Sequence, residues 1–386
     1  MKQLLFFLLI PWLIKAQDMP NPSELIIDNI VCEGNDSTSC DLIQKEIYLN
    51  IGDRVNEEEL SNARIRLQLK NLFKSVNIFM KKGTERGHVN IVVEVIEGNP
   101  FFMEVDYQLQ GTRDSNFHNR SVSMGHRNLF GLGKTFRFTY NQDEYSWQTQ
   151  KYFRTTFSYI DPNLFGIKKL FFNINASFER PLSSNNQDNH IDYVYEKNDA
   201  YSFLLGYRIF DFSYISISQT KYDSVARYEN SKETYSHTKI EDSVTYGWNS
   251  EDDSYFASSG SKFALSYVMT QPEPGDFYSS VEDRSFQKVY FKKNWTLAPK
   301  NFFSISSDIY RLNGSRTPEY QSNSSFLYSY QLKDRLNGVG SRSRLFFDVN
   351  PIAGEYYSTV NYSTGYMTEF AGFGFLKLGL TYWGSL

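Results

Sequence analysis

The chain has 386 residues, with 40 Lys plus Arg against 44 Asp plus Glu, 32 Phe, 28 Tyr and a mean hydropathy of -0.48. A helical membrane bundle needs repeated apolar runs of about 20 residues, and beyond residues 4–14 the sequence has none, so helical transport is excluded. A net charge of -4 gives no general attraction to nucleic-acid phosphates, and 17% aromatic residues exclude a disordered chain.

The start of the chain reads as an address. Met1-Lys2-Gln3 is a short basic opening, residues 4–14 are apolar except for Pro11, and Lys15-Ala16 precedes polar sequence. This is the pattern of a secretory signal peptide over residues 1–16; a membrane anchor would need a longer run. Export places Cys32 and Cys40, the two cysteines, in surroundings where they can form a disulfide. His88, His118, His126, His190 and His237 are scattered, without helix spacing or a Cys-x-x-Cys partner, so no metal and no cofactor are expected.

Residues 24–98 form a small α+β unit. Residues 25–32 are rich in β-branched side chains and suit a strand, and Glu33-Gly34-Asn35-Asp36 turns the chain. Ile43 and Ile47, four apart before Gly52-Asp53, mark a short helix. A second helix is better marked. Asn56 can cap it with Glu59 at the third helical position, and Leu60, Ala63 and Leu67 make an apolar stripe. Val76, Ile78 and Met80, then Val89, Ile91, Val93 and Val95, give two alternating strands. The expected order is βααββ, and Gly98-Asn99-Pro100 is a natural hinge.

From residue 101 to 386 the period becomes two. Phe136, Phe138 and Tyr140 oppose Thr135, Arg137 and Thr139, and Phe172, Ile174, Ala176 and Phe178 oppose Asn173, Asn175, Ser177 and Glu179. The same alternation returns at Phe263, Leu265, Tyr267 and Met269, at Phe303, Ile305 and Ile309, and at Leu376, Leu378, Leu380 and Tyr382. A soluble sandwich would alternate too. The signal peptide, the aromatic apolar faces and the long polar stretches (181–197, 222–243, 271–285, 311–324) between short turns favour an all-β antiparallel transmembrane barrel. Hydrocarbon admits only a closed sheet, and strands of about 9 to 11 residues allow roughly 12 to 16 of them, with 16 favoured.

Several phrases carry a family resemblance. "IDNIVCEGND" (27–36), "NIGDRVNEEELSNARIRLQLKNLFKSVNI" (50–78) and "GHVNIVVEVIEG" (87–98) resemble a polypeptide-transport-associated (POTRA) domain. "GHRNLFGLGKTFRFTY" (125–140), "YIDPNLFG" (159–166) and "WNSEDDSYFASSGSKFALSY" (248–267) are similar to the first hairpin, an early strand-turn segment and the mid-barrel turn of the BamA-like outer-membrane assembly family. That family's inward-folded loop carries Arg-Gly-Phe or Arg-Gly-Tyr; no such tripeptide occurs, and Arg311 and Arg316 are its degenerate counterparts.

An exposed POTRA edge strand can accept an extended client segment, and the expected edge is Val76, Asn77, Ile78, Phe79, Met80 and Lys81. A weak junction between first and last barrel strands could template a client strand. The expected seam pairs Thr135, Phe136, Arg137, Phe138, Thr139 and Tyr140 with Gly372, Gly374, Leu376, Leu378, Gly379 and Leu380. Its glycines either weaken packing or accommodate curvature.

Other motifs fail their chemistry. Gly131-Leu132-Gly133-Lys134-Thr135 imitates a phosphate-binding loop, but Asn128 stands where that loop needs its first Gly, and strand alternation follows. Glu251, Asp252 and Asp253 read as a solvated turn. No nucleophile elbow is present, so no enzyme is expected. The resemblance implies insertion of unfolded client proteins into a bacterial outer membrane, with the POTRA domain in the periplasm and accessory periplasmic or lipoprotein partners. The alternatives are a passive secretion pore or lipid conduit of the same architecture, and a mitochondrial outer-membrane location.

Overall fold

The computed structural model describes residues 25–111, 116–145, 150–184, 193–228, 234–252, 256–272, 284–313, 319–333, 342–354, 358–370 and 374–385. The expected signal peptide, Arg316 and Gly372 lie outside them.

The first unit comprises β1 (Leu25–Glu33), α1 (Cys40–Ile47), β2 (Arg54–Val55), α2 (Glu57–Gln68), β3 (Phe73–Lys82) and β4 (His88–Glu97). Only β2 is added to the expected order; two residues are too short to show a period. Asn56 and Glu59 form a reciprocal capping box at 2.9 and 3.0 Å, which satisfies amides that the first turn of α2 would leave unpaired. The sheet runs β2-β1-β4-β3, with β1 and β4 parallel. Ile43 and Ile47 of α1, Ala63 and Leu67 of α2, and Ile91 and Val93 of β4 are at most 1% exposed and make the core between helices and sheet. A Cys32–Cys40 disulfide ties the end of β1 to the start of α1.

The expected hinge is held on both sides. Gly98 donates to the Leu72 carbonyl at 2.7 Å, and the Pro100 carbonyl accepts from Arg127 at 2.8 Å.

Beyond it, β5 (Phe101–Gly111), β6 (Asn116–Leu129), β7 (Lys134–Tyr145), β8 (Gln150–Asp161) and β9 (Leu170–Ser184) begin a meander. It continues as β10 (Tyr193–Arg208), β11 (Ser213–Tyr228), β12 (Thr234–Asn249), β13 (Gly260–Pro272) and β14 (Arg284–Ala298). β15 (Asn301–Asn313), β16 (Glu319–Lys333), β17 (Ser343–Gly354), β18 (Ser358–Phe370) and β19 (Gly374–Ser385) complete it. Consecutive strands pair antiparallel, and β19 closes the cylinder on β5 in parallel. The end at which β5 starts, beside the first domain, is the near end.

The barrel therefore has 15 strands among the described residues, not 16. Its strands run from 11 to 16 residues, longer than hydrocarbon alone demands. Their ends continue into polar sequence where the alternation fades. Residues 222–243, for example, read as a long polar connection, yet most of them belong to β11 and β12.

The outer surface carries Phe136, Phe157, Phe203, Leu265, Phe326 and Leu378 as exposed apolar side chains, while their strand neighbours face a polar lumen. Phe102, Phe171, Tyr214 and Phe346 each lie directly opposite a glycine on the next strand, Gly125, Gly206, Gly247 and Gly365. A Cβ on any of these glycines would come within 2.2–2.8 Å of the ring, so the aromatic fills the gap that the missing side chain leaves.

The parallel register makes a direct prediction. Leu380 stands opposite Leu109, whereas antiparallel closure about the Leu378 and Tyr107 pair would bring Leu380 to Val105. Mild oxidation of a Leu109→Cys/Leu380→Cys variant should give an intramolecular cross-link seen as a gel shift, and Val105→Cys/Leu380→Cys should not. The reverse result would refute the parallel seam.

Candidate functional site

The N-terminal domain is clamped across the near-end turns by its helix α1. At the start of that helix, Asn128 Nδ2 donates to Thr38 Oγ1 at 2.9 Å, and Ser39 N–H donates to the Gly131 carbonyl at 3.0 Å. Near its end, Asn163 Nδ2 donates to Glu46 Oε1 at 3.0 Å. Asn128 is the penultimate residue of β6, just before the turn of residues 130–133 to β7, and Asn163 lies in residues 162–169, which join β8 to β9. A third turn, between β10 and β11, supplies Asp211, which pairs with Arg66 of α2 at 2.9 Å and accepts from Asn62 at 3.2 Å.

Glu46 is the electrostatic centre of the clamp. It is 2% exposed, with Lys70 at 2.8 Å and Arg208 of β10 at 3.8 Å. Burial alone would raise its carboxyl, but the charges of Lys70 and Arg208, with the Lys70 and Asn163 hydrogen bonds, hold it below the ordinary carboxylate value. Burial and the neighbouring Arg208 push Lys70 down to about 8, with Glu46 opposing them. These domain groups floor a lumenal cavity of about 760 Å³, whose walls include Lys262, Lys288, Tyr290 and Asp308.

A second device lies inside the barrel. Among its described residues, the connection between β12 and β13 is not a solvated turn; Asp253 lies outside them. Glu251 is 5% exposed, pairs with Lys292 at 2.6 Å and accepts from Asn294 at 2.9 Å, while Asp252 accepts from Ser258 N and Ser259 N at 2.8 and 3.1 Å. Phe256, 2% exposed, sits between Arg342 and Arg344, whose guanidinium carbons lie 4.6 and 5.4 Å from its ring centre. Arg344 also donates to the Phe256 and Ala257 carbonyls at 2.9 and 3.1 Å and to Gln331 at 2.7 Å. Phe256 and Ala257 are thus held inside the near-end lumen as a plug, and Phe256 ends edge-on against Phe375 of β19 at 5.9 Å.

The structure redistributes the expected site residues. Thr135, Phe136, Arg137, Phe138, Thr139 and Tyr140 lie in β7, two strands from the closing junction, so they do not form the seam. The seam is β5, whose apolar Phe101, Met103, Val105, Tyr107 and Leu109 alternate with polar or lumenal neighbours. Gly374, Leu376, Leu378, Gly379 and Leu380 lie on its partner β19, paired with Met103, Val105, Tyr107, Gln108 and Leu109. The seam has nine residue pairs, against ten to fifteen at the other barrel junctions. Arg311 is an exposed residue of β15, paired with Tyr320, and not part of a lumen loop. The lumenal arginines come instead from the start of β17 and from residue 342 beside it.

Val76 to Lys81 lie on β3, at one end of the four-stranded sheet. Gly83 N–H bonds His88 O at 3.0 Å, and bonded pairs alternate along an antiparallel ladder. Asn77, Phe79 and Lys81 therefore bond β4, while the backbone groups of Val76, Ile78 and Met80 face the open edge.

These contacts define a class: a closed meander barrel with one α/β domain clamped at its near-end mouth. The chain is similar in fold to the solved CdiB structures. CdiB from Escherichia coli superposes with a TM-score of 0.61 at 11% identity, over 90% of this chain and 70% of its own. CdiB from Acinetobacter baumannii gives 0.57 at 11% identity, over 90% and 68%. BamA from Haemophilus ducreyi lacking POTRA domains 1-3 aligns over 94% of this chain and 81% of its own at 15% identity, with a TM-score of 0.47. The sequence matches no family model and no curated protein. The likeness to the CdiB structures is one of fold.

Removing the anion at the centre of the clamp should release the domain. Glu46→Gln leaves Lys70 and Arg208 without their shared carboxylate, at an expected cost of about 3 to 5 kcal/mol, read as faster hydrogen exchange across α1. Adding Lys70→Met should recover part of the loss. The pH signs differ for the two groups. Glu46, depressed in the folded protein, supports docking above the carboxylate range and loses that support as pH falls below 4.5. Between about 8 and 10.5 the unfolded chain holds the Lys70 proton that the folded protein has released, so this group makes stability rise with pH there.

Proposed function

We propose that the protein sits in a bacterial outer membrane with its N-terminal domain, a single POTRA domain, in the periplasm, and assists insertion of unfolded outer-membrane clients. The observation that carries this reading is the seam: one parallel junction of nine pairs in a barrel otherwise closed by antiparallel ladders. Parallel pairing is slightly weaker per residue. In hydrocarbon each unpaired backbone group costs several kcal/mol, so β5 and β19 separate at low cost only when an incoming strand pairs with the edge being freed. That requirement selects extended, strand-forming chains. The domain supplies a first docking place, the open edge of β3, where an unfolded segment can add as a further strand.

The mechanism needs no reactive group or cofactor. Binding at β3 concentrates the client near the periplasmic mouth, the seam offers a template, and pairing energy replaces what opening loses. Accessory periplasmic or lipoprotein partners would act on the same exposed domain.

The polar cavity of about 760 Å³ supports a second reading, a passive secretion pore or lipid conduit. Against it, Glu46, Tyr48, Arg66 and Lys70 floor that cavity and the plug is held inside the lumen, so conduction would require both to move.

Liposomes holding the protein should accelerate folding of a small client barrel, read by heat-resistant migration on gels, and a photo-cross-linker at exposed Asn77 should capture the unfolded client. Steady ion conductance in a planar bilayer, with no acceleration and no capture, would sink the insertion reading and favour the conduit.

A further inference from the structure

The tetrapeptide Asn-Leu-Phe-Gly occurs twice, at residues 128–131 and 163–166, in the first two near-end turns. Its two ends face the N-terminal domain in both copies. Asn128 and Asn163 are 7% and 8% exposed and bond Thr38 and Glu46, while a Cβ on Gly131 would lie 2.5 Å from the Ser37 carbonyl oxygen and one on Gly166 would make ordinary contact with Lys45 at 3.7 Å. The phenylalanines do the opposite. Phe130 and Phe165 are 88% and 86% exposed.

They are also held in the left-handed backbone region, at φ 59° and 54°, which a bulky side chain rarely adopts and which Gly or Asn would occupy without strain. Two turns thus share an unfavourable backbone that presents an aromatic ring to the surroundings, and strain retained at an exposed position points to a function. Neither ring belongs to the domain clamp, the plug or the seam.

Their surroundings identify the partner. Ile167 in the second turn, Phe210 in the third and Leu297 at the near end of β14 are also 51–62% exposed. The apolar outer faces of the strands above, with Phe136, Phe157 and Phe203, run down toward the same rim. A collar continuous with the lipid-facing band meets the membrane where that band ends, at the boundary of headgroups and acyl chains, which is where aromatic side chains of transmembrane barrels are enriched.

We propose that Phe130 and Phe165, with Ile167, Phe210 and Leu297, insert into the headgroup and acyl boundary of the near-end phospholipid leaflet. Because the asparagines of the same tetrapeptides hold Thr38, just before α1, and Glu46 within it, the anchor also sets the height and tilt of the N-terminal domain relative to the membrane. The inference rests on the membrane-spanning reading of the barrel.

The test uses the full chain in phosphatidylethanolamine and phosphatidylglycerol vesicles, with a nitroxide on a single added cysteine; Cys32 and Cys40 are already bonded to each other. Accessibility to oxygen and to a water-soluble nickel chelate gives depth. Labels at Phe130→Cys and Phe165→Cys should show an oxygen-to-nickel ratio several-fold above that at Glu85→Cys in the β3–β4 turn. A ratio equal to the Glu85 value, meaning water, or low access to both reagents, meaning a protein neighbour, would overturn the anchor. A label at Phe203→Cys separates the two levels: lipid access there with water at both turns rejects only the anchor, whereas water there rejects the membrane-spanning reading as well.

Discussion

An up-and-down meander reverses direction at every turn, so an odd number of strands brings the first and last into the same direction. With 15 strands, closure has to be parallel. In hydrocarbon, the setting proposed for the barrel, an open edge would leave a row of backbone donors and acceptors unpaired, so closure is required there. These two constraints together make the β5–β19 junction different in kind from every other junction in the cylinder, without any special residue being required there. Gly374 and Gly379 of β19 then add local looseness to a junction that topology has already singled out.

The same parity organises the rest of the molecule. Because β5 starts at the near end, the turns that follow β6, β8 and β10 all return to that end, beside the N-terminal domain. Asn128 at the end of β6, and Asn163 and Asp211 in the next two near-end turns, are supplied to the clamp there. The clamp is polar where the domain's own core is apolar. A domain held by apolar burial would be fixed by surface area, whereas this one is held by a few directional bonds around Glu46. Its attachment therefore depends on protonation and on single side chains.

How far these features could be read from sequence depended on whether a local period recorded them. The capping box of α2 and its Leu60, Ala63 and Leu67 stripe are local, and they appear at the expected positions. Strand alternation is also local, and in β5 it was plain: Phe101, Met103, Val105, Tyr107 and Leu109 against Glu104, Asp106, Gln108 and Gln110. That signal identifies a barrel strand upstream of β7 and would have moved the seam from residues 135–140. Long-range pairings leave no such record. Lys70 reads as a cation near the end of a helix, but its partner is Glu46 on the other helix. Glu251 sits in an acidic, turn-like phrase, and its burial depends on Lys292 and Asn294 in β14. Phe256 and Arg344 are 88 residues apart and meet only because the barrel closes. The Asn-Leu-Phe-Gly repeat is a local feature, but nothing local shows that its Asn and its Phe face different partners.

The plug and the seam bear on each other through Phe375. This residue is second in β19, pairs with Glu104 across the seam, and receives the edge of Phe256 from the lumen. Glu104 is itself held by Arg127 and Arg137 at 3.2 and 2.8 Å, with both guanidinium groups stacked on Phe102. The near end of the seam is therefore buttressed from inside on both of its strands, and β5 is tied there to the N-terminal domain through residues 98–100. Two residues further along, still in the near half of the seam, Asp106 and Lys377 stand opposite each other, yet Lys377 lies over the Phe346 ring at 5.5 Å and no ion pair joins the two. Separation of β5 from β19 therefore meets its strongest side-chain resistance at the near end, where Phe375 and Glu104 are held. Under the proposed insertion reading, an incoming strand would reach these buttressed near-end pairs last, and disruption of the plug at Phe256 would matter only at that final step.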